Sequence, residues 1–365
     1  MRAFLKFFTW PAIAGLLGAV LILEHWVWPP ANPGREAVVR DSFRQAVASA
    51  TPSVVNIYTE KRVSAGGSRM LNNPLMPIPR GVPRQRVERS LGSGVIMRED
   101  GYILTNNHVI DGADAIQVLL SDGRSAAAQV VGRDRATDLA ALKVDLDGLS
   151  AVTIANSDLL SVGDVVLAIG NPLGFGHSVT QGIVSGLGRF GLNPGTYEGF
   201  IQTDAVIHAG NSGGALVDVS GALVGINSLI YTSTDGSNNG MVGIGISLAI
   251  PSSFAEFVMD DLIRFGRVIR GWLGVQVEQL AGDTLGEQRL LVRGVAPGGP
   301  ADRAGLQSGD IITHFNDEAI DDVRLAMYEV SLLRPGDKLE MSVFRDNATE
   351  EITAIVGTQP DPEIE

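Results

Sequence analysis

A serine set among glycines, in Gly210-Asn211-Ser212-Gly213-Gly214, lies about a hundred residues after Thr105-Asn106-Asn107-His108-Val109. A serine hydroxyl is a weak nucleophile at neutral pH and needs a base to take its proton. It also needs backbone N–H groups aimed at the oxyanion that forms next, and glycines let the main chain come close enough to supply them. Read alone, the run also fits a tight turn. Five histidines could serve as the base. His25 belongs to the apolar N-terminus and His314 to the C-terminal part, while His208 is too near Ser212 along the chain. His177 sits in the turn-like Gly174-Phe175-Gly176-His177-Ser178, whereas His108 follows the apolar run Tyr102-Ile103-Leu104-Thr105, a rigid strand that can present it. A carboxylate must orient the imidazole and stabilise its charged form. Of the ten aspartates between His108 and Ser212, Asp138 heads the apolar strand Leu139–Val144. Its nearest rival, Asp134, is flanked by Arg133 and Arg135, which favour a surface ion pair.

The elements that must hold these groups are short. Runs of Val, Ile and Leu at 54–59, 94–97, 102–105, 116–120, 139–144, 165–169, 179–184, 215–218, 223–230 and 242–249 alternate with Gly, Asn and Asp turns. That spacing predicts a β sandwich or barrel, and no βαβ rhythm is present. Helices are expected over 36–50, from apolar residues at helical spacing, and after Pro251-Ser252-Ser253. Residues 64–89, rich in Pro and Arg, read as a long loop. From Gly271 a second unit begins, with strands at 272–275, 290–295, 309–312, 338–344 and 351–356 and helices at 301–306 and 323–333.

The chain has 365 residues, long enough for two domains, and a net charge of −13 that argues against nucleic-acid binding. It has no cysteine, so disulfides and thiolate chemistry are excluded. No ligand cluster points to a metal, and no phosphate loop points to a nucleotide; no cofactor is expected. Arg2 and Lys6 precede an uncharged stretch from Phe7 to Leu23, roughly 25 Å of helix and near the lower limit for a membrane span. A cleaved signal peptide is the rival, but Trp26 and Trp28 fit an interfacial belt better than a cleavage site. The expectation is a retained transmembrane helix over 1–28 with the remainder outside the cytoplasm, then a linker over 29–35.

The motifs Thr-Asn-Asn-His-Val, Thr137-Asp138-Leu139-Ala140 and Gly-Asn-Ser-Gly-Gly occur in the order His, Asp, Ser. With Gly170-Asn171-Pro172, Val179-Thr180-Gln181-Gly182-Ile183-Val184-Ser185 and Gln202-Thr203-Asp204-Ala205, they resemble a chymotrypsin-fold protease of the HtrA family. The resemblance runs from about 36 to 358. It implies a mostly β protein: a chymotrypsin-like double β-barrel protease domain over 36–268, a PDZ domain over 269–358 and a tail over 359–365. His108 is then the general acid/base, Asp138 the orienting carboxylate and Ser212 the nucleophile, with the N–H groups of Gly210 and Ser212 as oxyanion hole. Ile207, Asn227, Ser228, Leu229 and Ile230 line a pocket for small aliphatic side chains.

In the PDZ unit, Trp272-Leu273-Gly274-Val275 matches the loop that captures a C-terminal carboxylate while the peptide adds a strand. One anchor, one protease and one PDZ domain resemble the membrane-anchored branch of the family. That implies an inner-membrane homotrimer facing the periplasm. C-terminal peptides of misfolded outer-membrane proteins activate it, and it cuts a membrane anti-sigma factor. Arg189, in the loop 186–199, is expected to relay the signal. This chain departs from the branch at Leu173, where an aromatic is expected after Asn-Pro. A general quality-control protease of the envelope, and a non-catalytic peptide-binding scaffold, are the alternatives.

Overall fold

The structure is a computed structural model that describes residues 42–64, 85–171, 176–190, 197–208, 210–233, 242–281, 288–320 and 322–359. The expected anchor and linker, 1–35, and Leu173 lie outside the described residues. Among those described, no helix is long and apolar enough to cross a membrane. From Arg44 onward the chain forms one compact unit.

Its first half, after helix α1 (Arg44–Ala50), is a sheet of β1 (Val54–Ser64), β2 (Gln85–Ile96), β3 (Tyr102–Asn106), β4 (Ala115–Leu119), β5 (Ser125–Ala127), β6 (Gln129–Asp134) and β7 (Leu139–Lys143). The order is β5-β4-β1-β2-β3-β7-β6. Its edge strands β5 and β6 are separated only by Ala128, whose N–H bonds Ile116 C=O at 3.0 Å. One bent segment, β5 running through Ala128 into β6, therefore joins both edges and closes the seven strands into the barrel the resemblance implies. Val55, Ile57, Ile96, Ile103, Val118 and Leu142 fill it. β1 and β2 pair from Val54↔Val95 to Ser64↔Gln85, so the ribbon runs into residues 85–89, which composition assigns to a loop. Backbone groups make a β ladder, and a charged sequence does not prevent it where the strands leave the core.

The second half is a closed barrel of β8 (Val165–Gly170), β9 (Ser178–Arg189), β10 (Phe200–Thr203), β11 (Ala215–Asp218), β12 (Leu223–Ser233) and β13 (Val242–Pro251). The short one-turn helix Asn107–Ile110, α2, follows β3. Helix α3 (Ser252–Phe265) ends at Gly266 with φ +70, a left-handed cap suited to glycine. The C-terminal unit contains β14 (Gly271–Trp272), β15 (Val275–Ala281), β16 (Gln288–Val295), β17 (Ile311–Phe315), β18 (Glu318–Ala319), β19 (Lys338–Arg345), β20 (Ala348–Ile355) and β21 (Gly357–Thr358). Helices α4 (Pro300–Ala304) and α5 (Val323–Leu332) complete it, and Leu290, Val292, Ile312, Leu339, Met341 and Val343 form its core.

Candidate active site

Strand pairing brings the histidine and the aspartate together. Asn106 pairs with Leu139, so the residues that follow β3 meet those that precede β7. Asp138 has φ +57, in the left-handed region that short polar side chains tolerate best. In that conformation it offers both ends to one segment. Its C=O accepts from Asn107 N–H at 2.9 Å and from Asn106 Nδ2 at 3.0 Å. Its carboxylate accepts from His108 N–H at 2.9 Å and lies 2.6 Å from His108 Nδ1. A carboxylate at neutral pH only accepts, so the ring proton sits on Nδ1 and Nε2 is left as the base.

The turn before Asp138 is held from a distance. Asp134 Oδ2 accepts from Thr137 N–H and Thr137 Oγ1, at 3.0 and 2.6 Å, and from the Arg270 guanidinium. The Asp134 and Arg270 side chains are only 12% and 9% exposed, so this is no surface pair. Arg133 and Arg135 turn to Asp111 instead, at 3.6 and 3.4 Å. Asp134 thus positions the Asp138 turn, a role its flanking arginines concealed in sequence.

Ser212 stands at the other barrel. Gly210 has φ +99 at the third position of a turn closed by Asn211 N–H on His208 C=O at 2.9 Å, a conformation that requires glycine. Gly213, at φ +81, gives its N–H to Asn227 C=O at 2.8 Å. Among the described residues, nothing accepts from Gly210 N–H or Ser212 N–H. Ser212 Oγ donates to Ser228 C=O at 2.9 Å. A hydroxyl has one proton, so transfer to His108 requires that the bond to Ser228 C=O be given up first. The set can then perform acyl transfer: His108 Nε2 takes the proton, Asp138 stabilises the imidazolium, and free N–H groups meet the oxyanion.

Of the expected pocket residues, Ile207 is 1% exposed and belongs to the barrel core. Asn227, also buried, donates to Ala215 C=O at 3.0 Å and to Ile169 C=O at 3.3 Å, tying β12 to β11 and β8. Ser228 contributes the carbonyl that holds Ser212 Oγ. For Leu229 and Ile230 the backbone alone is described; they pair with Leu248 and Ser247.

The C-terminal unit carries a groove of about 310 Å³ between β15 and α5, lined by Leu273, Val275, Ile312, Phe315, Ala326 and Met327. Trp272 and Gly274 line it as well. Gly274 has φ +76, and among the described residues nothing accepts from Leu273 N–H or Gly274 N–H. An extended apolar peptide with a terminal carboxylate fits that combination. Tyr197 and Gln359 also line the groove, with Tyr197 Oη donating to Gln359 Oε1 at 3.1 Å. Arg189 points elsewhere: its Nε donates to Gln202 Oε1 at 2.8 Å, and its guanidinium lies over Gly186. The ring of the next residue, Phe190, meets Tyr328 of α5 edge-on at 5.8 Å, and Tyr328 meets Phe254 at 5.1 Å. Burial, followed by the charges of Glu329 and Asp158, pushes the Tyr328 hydroxyl pKa well up. Sequence reasoning passed over Tyr197, Phe190 and Tyr328; aromatic rings in a chain with 6% aromatic residues were the available signal.

Residues 92–226 match the trypsin-like peptidase domain family, and 271–356 match the PDZ domain family. Serine endoprotease DegS of Escherichia coli (strain K12) is 41% identical over 357 residues, covering 94% of this chain and 95% of that protein. A probable periplasmic serine endoprotease DegP-like of Marinomonas sp. (strain MWYL1) is 42% identical over 347 residues, 88% of this chain and 72% of the relative. The solved structure of HtrA-type protease AlgW with decapeptide is 46% identical with a TM-score of 0.69, covering 88% of this chain and 100% of that one. With a trypsin-like peptidase domain, a single PDZ domain and these relatives, the chain is a serine endopeptidase and belongs to the HtrA family, in its DegS-type form.

Proposed function

We propose that this protein is a peptide-regulated serine endopeptidase of the bacterial envelope, with His108, Asp138 and Ser212 as triad and Gly210 and Ser212 as oxyanion donors. Trp272–Val275 receives the carboxylate of an activating peptide, such as the C-terminus of a misfolded outer-membrane protein. The substrate is a membrane anti-sigma factor. Residues 36–268 and 269–358 are the two domains, 1–28 anchors them to the inner membrane on the periplasmic side, and the working form is a homotrimer. One observation carries the regulatory reading. Tyr197 lines the peptide groove, and its backbone N–H bonds Ala136 C=O at 2.9 Å, two residues before Asp138. Groove and triad are therefore one contact apart. Arg189 acts in this scheme by holding the end of β9 against β10 through Gln202.

The names of the relatives support an envelope protease, and AlgW was solved with a bound decapeptide. The DegP-like relatives favour a second reading, a periplasmic quality-control protease. Cleavage of a purified anti-sigma factor fragment, with and without a peptide ending in a free apolar carboxylate, separates them. A regulated protease accelerates at least tenfold with peptide; a rate independent of peptide supports quality control. Ser212→Ala should lower kcat on the order of a million-fold. Retained cleavage in that variant would overturn the triad.

A further inference from the structure

The geometry points to Ser93, in β2 of the first barrel, as the positioning residue for the oxyanion donors carried by the second. Ser93 has no exposed surface, and each of its polar groups is engaged. Its hydroxyl donates to Gly210 C=O at 2.7 Å and accepts from Asn171 N–H at 2.8 Å. Its N–H donates to Ser212 C=O at 2.9 Å, and its C=O accepts from Thr105 Oγ1 at 2.6 Å. One residue thus touches the nucleophile turn twice, the strand that presents His108 once, and the segment after β8 once.

The peptide planes show what these contacts do. The plane joining Gly210 to Asn211 is bonded at both ends, its C=O to Ser93 Oγ and its N–H to His208 C=O. The plane joining Ser212 to Gly213 is likewise bonded at both ends, its C=O to Ser93 N–H and its N–H to Asn227 C=O. The Asn211–Ser212 plane, which carries the Ser212 N–H, is held between them. The Gly210 N–H leaves from the residue whose own carbonyl Ser93 fixes. A glycine at φ +99 has no side chain to restrict it, so its orientation depends on such anchors. Donors aligned before the reaction stabilise an oxyanion without reorganising, and donors free to turn do not.

This inference rests on the proposed triad and oxyanion hole, and Ser212→Ala tests that reading separately. The test here is Ser93→Ala together with Ser93→Cys, which keeps a γ atom in the cavity but replaces O–H with a weak donor. Full-length variants are assayed on a peptide reporter for kcat and KM, for inhibition by a peptidyl boronate that forms a tetrahedral adduct, and for PDZ-peptide affinity. Substrate binding is also measured with each change placed in a Ser212→Ala background. Outright removal of one oxyanion donor costs about 100- to 1,000-fold in kcat. A donor left in place but poorly held should cost less, roughly ten- to hundredfold. The expected result is that loss in kcat with KM, substrate binding and PDZ-peptide affinity within about twofold, and boronate affinity falling with kcat. If Ser93→Ala does not fold, Ser93→Cys decides. A folded Ser93 variant with kcat and boronate affinity unchanged overturns the assignment while leaving the triad intact. Equal losses in substrate and boronate binding overturn it too, because they report general loosening of the site.

Discussion

Gly170→Ala is the sharpest steric probe of the turn that carries Ser212, the proposed nucleophile. Gly170 ends β8 and has no left-handed φ, so alanine meets no backbone penalty there. A Cβ at this position would lie 2.7 Å from Asn211 Cα and 2.5 Å from Asn211 Oδ1. Carbon atoms rest at about 3.5–4.0 Å, so the Asn211 backbone must retreat by at least about 0.8 Å. Asn211 sits between Gly210 and Ser212, the proposed oxyanion donors, and its own backbone is tied to His208 and Gly214. A misplacement near 1 Å costs on the order of a hundredfold in rate, so kcat should fall roughly 30- to 100-fold, or about 2–3 kcal/mol in the barrier. Overpacking should also lower stability by about 1–3 kcal/mol. The assay is steady-state cleavage of a peptide reporter with thermal unfolding measured alongside. Gly294→Ala is the control, since its nearest neighbour, Gln276 Oε1, lies 3.4 Å from the new Cβ. A folded Gly170→Ala protein with kcat within threefold of the parent would refute the claim that this contact sets the position of the turn.

Three further predictions concern the C-terminal unit. Burial alone would raise the pKa of the Asp310 carboxyl, but hydrogen bonds from Arg345 and Gln307 N–H and the guanidinium charge outweigh it and hold the value below the ordinary carboxylate range. A group depressed in the folded state adds stability above its unfolded value, about 3.9, and loses it as pH falls towards its folded value. Unfolding of this unit should therefore shift to lower temperature below about pH 4. Arg345→Met should cost about 3–5 kcal/mol at neutral pH, since the Asp310 side chain is 1% exposed and would be left unpaired; a loss below 1 kcal/mol contradicts this. Tyr328→Ala should lower the unfolding free energy by about 1–3 kcal/mol through its two edge-on ring contacts, and Tyr328→Phe by less than about 0.5. Equal losses in both variants by urea titration would assign the effect to the hydroxyl instead.

Much of the fold is local in origin and therefore legible. The strands over 102–105, 139–144, 165–169 and 215–218 follow from short apolar runs between turns, and the structure places them at those positions. Strands β5, β6 and β10 carry no such runs; their partners define them, as when Gln202 pairs with Leu248 and Gly186. At the site, His108 and Asp138 could be chosen from strand context, and the structure joins them at 2.6 Å. Asp134 misled for the opposite reason: its neighbours in sequence are arginines, but its partner in space is Arg270, 136 residues away.

The sequence by itself determined which residues can react, because a nucleophile, a base and an orienting carboxylate are chosen by residue type and by the strand ends that present them. The glycines that permit the positive φ values at 210 and 213 are likewise local. What holds that turn was decided by the tertiary structure. Ser93 reaches Gly210 across 117 residues, and Tyr197 reaches both Gln359 and Ala136. Hydrogen bonds join atoms by distance and angle, and no periodicity along the chain records which distant carbonyl a buried hydroxyl will meet.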